Sequence, residues 1–116
     1  MSTSQIESYR FGRIIIDGQT HSKDVIILPD RVIGNWWRQE GHALHLDDLE
    51  PVFDAAPGVL VVGQGDFGLM RVSQEVRQSL QAAGIELIAL PTREAVEMYN
   101  RLRAGRAVAA ALHLTC

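Results

Sequence analysis

Apolar residues along this chain change their period near residue 45, and the change predicts two kinds of structure. Before it, they fall in short runs closed by turn residues. Phe11 and Ile14–Ile16 precede Asp17-Gly18, Asp24–Leu28 precedes Pro29-Asp30, and Val32–Trp37 follows. Such β-branched and aromatic stretches suit a pleated surface and are too short for helices. Gly18 accepts the positive φ of a tight turn without steric cost. An antiparallel meander is the economical arrangement.

Beyond this point helical spacing alternates with short apolar runs. Asp47 followed by Glu50 reads as a capping box, with Pro51 in the first turn, and predicts a helix over Asp47–Ala56 that Pro57-Gly58 ends. Val59–Val62 reads as a fully buried strand. Ser73 caps a helix over Ser73–Ala83, whose apolar positions Val76, Leu80 and Ala83 share a face, and Gly84 sits just past its end. Ile85–Leu90 is the next strand. Thr92 caps a helix over Thr92–Ala104 with Ala95, Tyr99 and Leu102 on one face, and Val108–Leu112 is the last strand. Strand, helix, strand, helix, strand at this spacing implies two right-handed crossovers and a parallel sheet. The expected fold is one compact α/β domain spanning residues 1–116. In it an N-terminal antiparallel β-meander shares one core with a small three-stranded parallel βαβαβ sheet and three helices.

Composition narrows the function classes. With 47% hydrophobic and 22% charged residues the chain is an ordinary globular one. The net charge of -3, with both signs spread along the sequence, argues against a nucleic-acid groove or an anionic-membrane binder. A single cysteine, Cys116, excludes an intrachain disulfide and any paired-cysteine metal or redox site. Apolar runs such as Val108–Leu112 are far below the ~20 residues of a membrane span. Met1–Glu7 has neither a basic region followed by an apolar stretch nor arginine-rich transit character. A cytoplasmic protein is the expectation.

Three groups of residues invite a functional reading. Trp36-Trp37-Arg38 is the most unusual tripeptide: on a strand, Trp36 and Arg38 face one way and Trp37 the other, so one large aromatic is left for a pocket or an interface. Gly63-Gln64-Gly65-Asp66-Phe67-Gly68 matches a dinucleotide-type glycine pattern after a strand. However, the next helix starts near Ser73 rather than inside the motif, and no acidic residue follows the next strand to hold a ribose. The plain reading is a turn. The functional one is a small-ligand or anion crevice formed by Gly63, Gly65, the start of the Ser73 helix, Thr92 and Arg93. His42, His45, Asp47 and Asp48 are spaced poorly for a metal, and the aspartates already serve a helix start. Cys116 and His113 diverge on a strand, and the neighbouring α-carboxylate disfavours a thiolate. No acid–base pair emerges, no cofactor is expected, and no catalytic residue is assigned.

Several of these pieces occur together, in order, in one known family. Trp37-Arg38, Val61-Val62-Gly63-x-Gly65, Gly84-Ile85-Glu86, Thr92-x-x-Ala95-Val96-x-x-Tyr99-Asn100 and His113-x-Thr115-Cys116 span almost the whole chain. Together they resemble the domain-of-unknown-function family (Mth938-like domain) that includes the adipogenesis-associated domain protein of animals and a mitochondrial complex I assembly factor. The resemblance implies a compact α/β domain with hairpins layered on a small central sheet. It carries no enzymatic activity and no catalytic residues. Without a transit segment the chain looks like a bacterial-type cytoplasmic relative, which ten arginines against one lysine permit. The expected function is therefore a non-enzymatic interaction or assembly module using Trp36, Trp37 and Arg38. A protein partner is expected, and self-association is left open.

Overall fold

The computed structural model describes residues 4–116, so the leader reading of the first three residues lies outside the described residues. Three antiparallel strands open the chain: β1 (Ile6–Arg10), β2 (Arg13–Ile16) and β3 (Gln19–His21), with Ile14 opposite Tyr9 and His21. Asp17 and Gly18 both take positive φ at the hairpin, at 49° and 81°. Here the meander divides. β4 (Val25–Ile27) and β5 (Val32–Ile33) leave it to become the antiparallel side of the main sheet. The expected single meander is thus two units, because Val25, Ile26 and Ile27 are apolar on both faces and need a two-sided burial that a surface hairpin does not offer.

The second half follows the predicted alternation. After β6 (Ala43–Leu44), a 3-10 turn over Leu46–Leu49 runs into α1 (Glu50–Ala55). Then come β7 (Val59–Gln64), β8 (Arg71–Val72), α2 (Gln74–Ala82), β9 (Glu86–Leu90), α3 (Thr92–Leu102) and β10 (Val108–His113). The central sheet has order β5-β4-β10-β7-β9. Within it β10, β7 and β9 are parallel, with Ala110 opposite Val61 and Val61 opposite Ile88. β6 and β8 form a short parallel pair.

Two local details depart from the sequence reading. Half of a capping box forms two residues upstream of Asp47: the His45 N–H donates to Asp48 Oδ2 at 2.8 Å, while the Asp48 N–H bonds the His45 backbone carbonyl, not its side chain, at 3.1 Å. At α3, Pro91 occupies the cap, while the buried Thr92 hydroxyl points away from its own helix into the sheet. By contrast Ser73 caps α2 as expected, accepting from the Val76 N–H at 3.2 Å, and Gly84 takes φ 75° after its end.

The core is divided by the sheet rather than shared. Val59, Val61, Val108, Ala110 and Leu112 face Ile6, Ile14, Ile16, Ala95 and Tyr99 on one side. Leu60, Val62, Ala109 and Ala111 face Leu44, Leu49, Val52, Val76 and Leu80 on the other. A strand buried on both faces presents side chains alternately to two clusters, which is why β7 and β10 read as unbroken apolar runs. The product is a three-layer sandwich: the small sheet and α3 on one face, and α1 with α2 on the other.

Candidate functional site

The ends of β7, β9 and β10, the start of β4 and the segment after β5 all meet at one end of the sheet. Open α/β sheets place their ligand sites at such an end. Asp24 is its hub. One carboxylate oxygen, Oδ2, accepts from Arg38 Nη1 at 2.6 Å and from His113 Nδ1 at 2.8 Å, while Oδ1 accepts from the Leu114 N–H at 2.8 Å. The Asp24 carbonyl takes the Trp36 N–H at 2.8 Å. Burial pushes the Asp24 carboxyl upward, but the bonds from His113, Leu114 and Arg38 outweigh it and hold the group below its ordinary 3.8.

The histidine tautomer follows from donor accounting. A carboxylate only accepts, so Nδ1 carries the proton that Asp24 receives. Nδ1 therefore offers no lone pair to Arg38 Nη2, 3.0 Å away, which donates instead to the Gly41 carbonyl at 3.0 Å. His113 Nε2 and Arg38 Nε are left as buried side-chain nitrogens without a hydrogen-bond partner among the described residues. The Arg38 side chain is only 4% exposed, and its guanidinium carbon lies 4.9 Å from the centre of the Trp36 ring. Trp36 is anchored in turn, its Nε1–H donating to the Asp48 carbonyl at 3.0 Å.

Residues 36–38 are not a strand, since β5 stops at Ile33, yet their side chains still alternate. Trp36 and Arg38 are buried, and Trp37 between them is 79% exposed. The cause is the Asp24 hub rather than a pleat: it pins the backbone at Trp36 and the side chain at Arg38. A cleft of about 550 Å³ opens at this loop, lined by Lys23, Asp24, Trp36, Trp37, Arg38 and Thr115 among others.

The glycine loop lies at the same end and adjoins the hub through His113. Gly63 has no room for a side chain, because a Cβ there would stand 2.8 Å from Thr92 Oγ1 and 2.9 Å from Leu112. Gly65 takes φ 93°, and a Cβ on it would lie 2.8 Å from the Thr115 carbonyl. The Thr92 hydroxyl accepts the Gly65 N–H at 2.9 Å and donates to the His113 carbonyl at 2.6 Å. Asp66 N–H donates to the Thr115 carbonyl at 2.8 Å, and Gly68 N–H and Thr92 N–H both donate to the Gly65 carbonyl. The loop's amides at Gly65, Asp66 and Gly68 thus bond within the chain instead of converging on an open anion cradle. Arg93 is exposed, 3.6 Å from Asp66 Oδ1 and 5.3 Å from the Tyr9 ring centre. Tyr9, with its hydroxyl near Asp66 and the Leu114 carbonyl, is pushed up to about 12 by burial and then by the Asp66 charge.

All seven sequence candidates, Trp36, Trp37, Arg38, Gly63, Gly65, Thr92 and Arg93, therefore meet at one end of the fold, on either side of His113. His45 pairs with Glu40 at 2.6 Å, and no group of three metal-ligating side chains occurs among the described residues. The sequence reading missed Asp24, which pairs with a histidine 89 positions away and carries no local motif. It also missed Phe11, Phe67 and Leu69. The signal was available for Phe67, a large apolar residue set between turn glycines.

The comparisons agree with this architecture. A profile of the family described as "Protein of unknown function (DUF498/DUF598)" matches residues 6–113, and the chain belongs to that family. A solved structure described as an outer membrane protein from Bartonella henselae is 27% identical, with TM-score 0.85 over 99% of this chain and 98% of that one. A conserved hypothetical protein from Pyrococcus horikoshii is 28% identical, with TM-score 0.83 over 97% and 99%. A Bordetella pertussis protein described as a Mth938-like domain, 23% identical, has the same fold with TM-score 0.71 over 96% and 85%.

Proposed function

We propose that this member of the DUF498/DUF598 family is a non-enzymatic interaction module that docks a partner protein on the end of its sheet. One observation carries the reading. The large hydrophobic side chains exposed among the described residues are Phe11, Trp37, Phe67 and Leu69, at 52%, 79%, 67% and 53%. All four belong to segments that bond to, or share a cleft with, the end of the sheet at Gln64 and residues 114–115. Gly12, beside Phe11, donates to the Leu114 carbonyl, and Asp66, beside Phe67, donates to the Thr115 carbonyl. Leu69 precedes Met70, whose N–H returns to the end of β7 at Gln64, and Trp37 shares its cleft with Thr115. Exposed apolar side chains gathered in one patch mark interaction sites, whereas scattered ones are ordinary.

The Asp24 hub supports the same reading, because it fixes the loop that presents Trp37 and so reduces the ordering cost of using an aromatic anchor. An anion site at the glycine loop has less support, its amides being engaged within the chain. A cytoplasmic setting is part of the proposal and rests on the single thiol. The test is affinity purification from the native source with wild type, Trp37→Ser and Phe67→Ser. Loss of the same specific partner from both variants, with unchanged circular dichroism, is expected. Retention of every specific partner by both overturns the surface.

A further inference from the structure

Away from the docking surface, the free edge of the central sheet is built to take a second copy of this chain. We infer that two copies pair their β9 strands, antiparallel about a two-fold axis at Ile88, into one continuous sheet. β9 is the last strand in the order β5-β4-β10-β7-β9 and pairs with β7 alone. The Glu86 N–H donates to the Gly58 carbonyl and the Thr92 N–H to the Gly65 carbonyl, so the even-numbered residues of β9 turn their backbone groups toward β7. The N–H and C=O groups of Leu87 and Ala89 therefore face outward, and no backbone group among the described residues meets them. The side chains agree. Val59–Gly63 on β7 are fully buried, whereas Leu87–Leu90 stay half-buried although α2 and α3 pack on their two faces.

Sheets guard their edges with charges, proline, a bulge or a very short strand. The other edge is guarded in this way, since β5 has two residues. β9 is not: Leu87–Leu90 holds no charge and no proline, and its register with β7 runs unbroken. Glu86, the charged residue of the strand, is drawn to Arg106 at 3.2 Å.

The edge is complementary to itself. With Ile88 opposite Ile88, Leu87 of each copy stands opposite Ala89 of the other, and every outward N–H on one copy meets an outward carbonyl on its mate. A shift of two residues brings in Pro91, which has no N–H, or Ile85, whose N–H already serves the Leu80 carbonyl. Side chains match too, Ile88 against Ile88 on the α3 face and Leu87 against the small Ala89 on the α2 face. The flanking helices bring no block of like charge together, since exposed Glu75 and Arg77 on α2, and Glu94 and Arg101 on α3, carry both signs. A flexible peptide would have to order its backbone to make these bonds, whereas a second copy brings a strand already fixed by its own β7. A two-fold contact is closed, so assembly stops at the dimer. Antiparallel pairing also turns the two sheet ends in opposite directions. One dimer then holds two partner molecules apart, a consequence that rests on the docking reading, whereas the pairing itself does not.

Sedimentation velocity of the full chain from about 1 μM to about 1 mM, the span of ordinary weak association, measures the stoichiometry. A monomer–dimer equilibrium is expected, and Trp37→Ser should leave it unchanged. Amide exchange read by NMR locates the contact. The Leu87 and Ala89 N–H groups should exchange more slowly as concentration rises, while those of Ile88 and Leu90, held by β7, stay slow throughout. Ala89→Pro removes an outward N–H without touching a bond to β7, and should weaken self-association at least about tenfold with unchanged circular dichroism. Should that variant not fold, exchange in the wild type decides. A monomer across the whole range overturns the pairing, and so does a dimer whose Leu87 and Ala89 amides stay fast. A dimer lost in Trp37→Ser moves the contact to the sheet end and overturns it as well. Capture of a partner by wild type but not by Trp37→Ser and Phe67→Ser is read separately, so each account can fail without the other.

Discussion

Removing the Asp24 carboxylate is the sharpest perturbation this structure offers. In Asp24→Ala, Arg38 keeps its positive charge in a site where its side chain is 4% exposed, and its 2.6 Å partner is gone. Breaking a buried ion pair by deleting one member costs about 3–5 kcal/mol, because the remaining charge is left uncompensated. The Leu114 N–H and His113 Nδ1–H lose their acceptors too, at about 1–3 kcal/mol for each buried orphan. These losses share one group and do not add, so the expected total is about 4 kcal/mol, a large part of the about 5–15 kcal/mol that stabilises a domain. Arg38→Met in the same chain removes the stranded charge and should restore about half of the loss. Urea denaturation of wild type, both single variants and the double variant at pH 7 measures the cycle. The pH dependence supplies a second reading. Because the folded state lowers the Asp24 pKa below 3.8, its contribution is present above the unfolded pKa and disappears as pH falls through the lower folded value. Wild type should therefore lose stability more steeply than Asp24→Asn on acidification below about pH 4. A cost under about 1 kcal/mol for Asp24→Ala, with no rescue by Arg38→Met, would refute the hub.

Three further substitutions separate packing from presentation. Gly65→Val should destabilise by more than about 2 kcal/mol in thermal or urea unfolding, since φ 93° strains any side chain and its Cβ would press on the Thr115 carbonyl. Thr92→Val should cost about 2 kcal/mol by leaving the buried Gly65 N–H without its acceptor, read most locally as faster amide exchange at Gly65. Trp37→Ser should change stability by no more than about 0.5 kcal/mol, because its side chain is almost fully in solvent, while removing the long-wavelength part of the tryptophan emission.

The elements that depend on side-chain period were legible in the sequence. β7, α2, β9, α3 and β10 fall within a residue or two of their predicted spans, because Val59–Val62, Val76 with Leu80, and Ala95 with Tyr99 report burial directly. What depends on long-range pairing was not. The apolar run Val25–Ile27 calls for burial on both faces, but nothing local to it names β10, far along the chain, as the strand it pairs with. Thr92 read as a helix cap because its neighbours are local, yet its hydroxyl serves residues 27 and 21 positions away. The same holds for the site. The oddity of Trp36-Trp37-Arg38 was visible as composition, but the cause of its alternating exposure is a carboxylate before β4 and a histidine at the end of β10.

The central claim is that partner binding covers the end of the sheet around residues 113–116. Hydrogen–deuterium exchange of the chain, free and bound to the partner captured from its native source, tests it most directly. The account predicts added protection at residues 10–13, 34–41, 65–69 and 114–116, with the outer faces of α1 and α2 unchanged. Protection confined to α2 or to the open edge of β9, with those four segments exchanging as in the free chain, would contradict it.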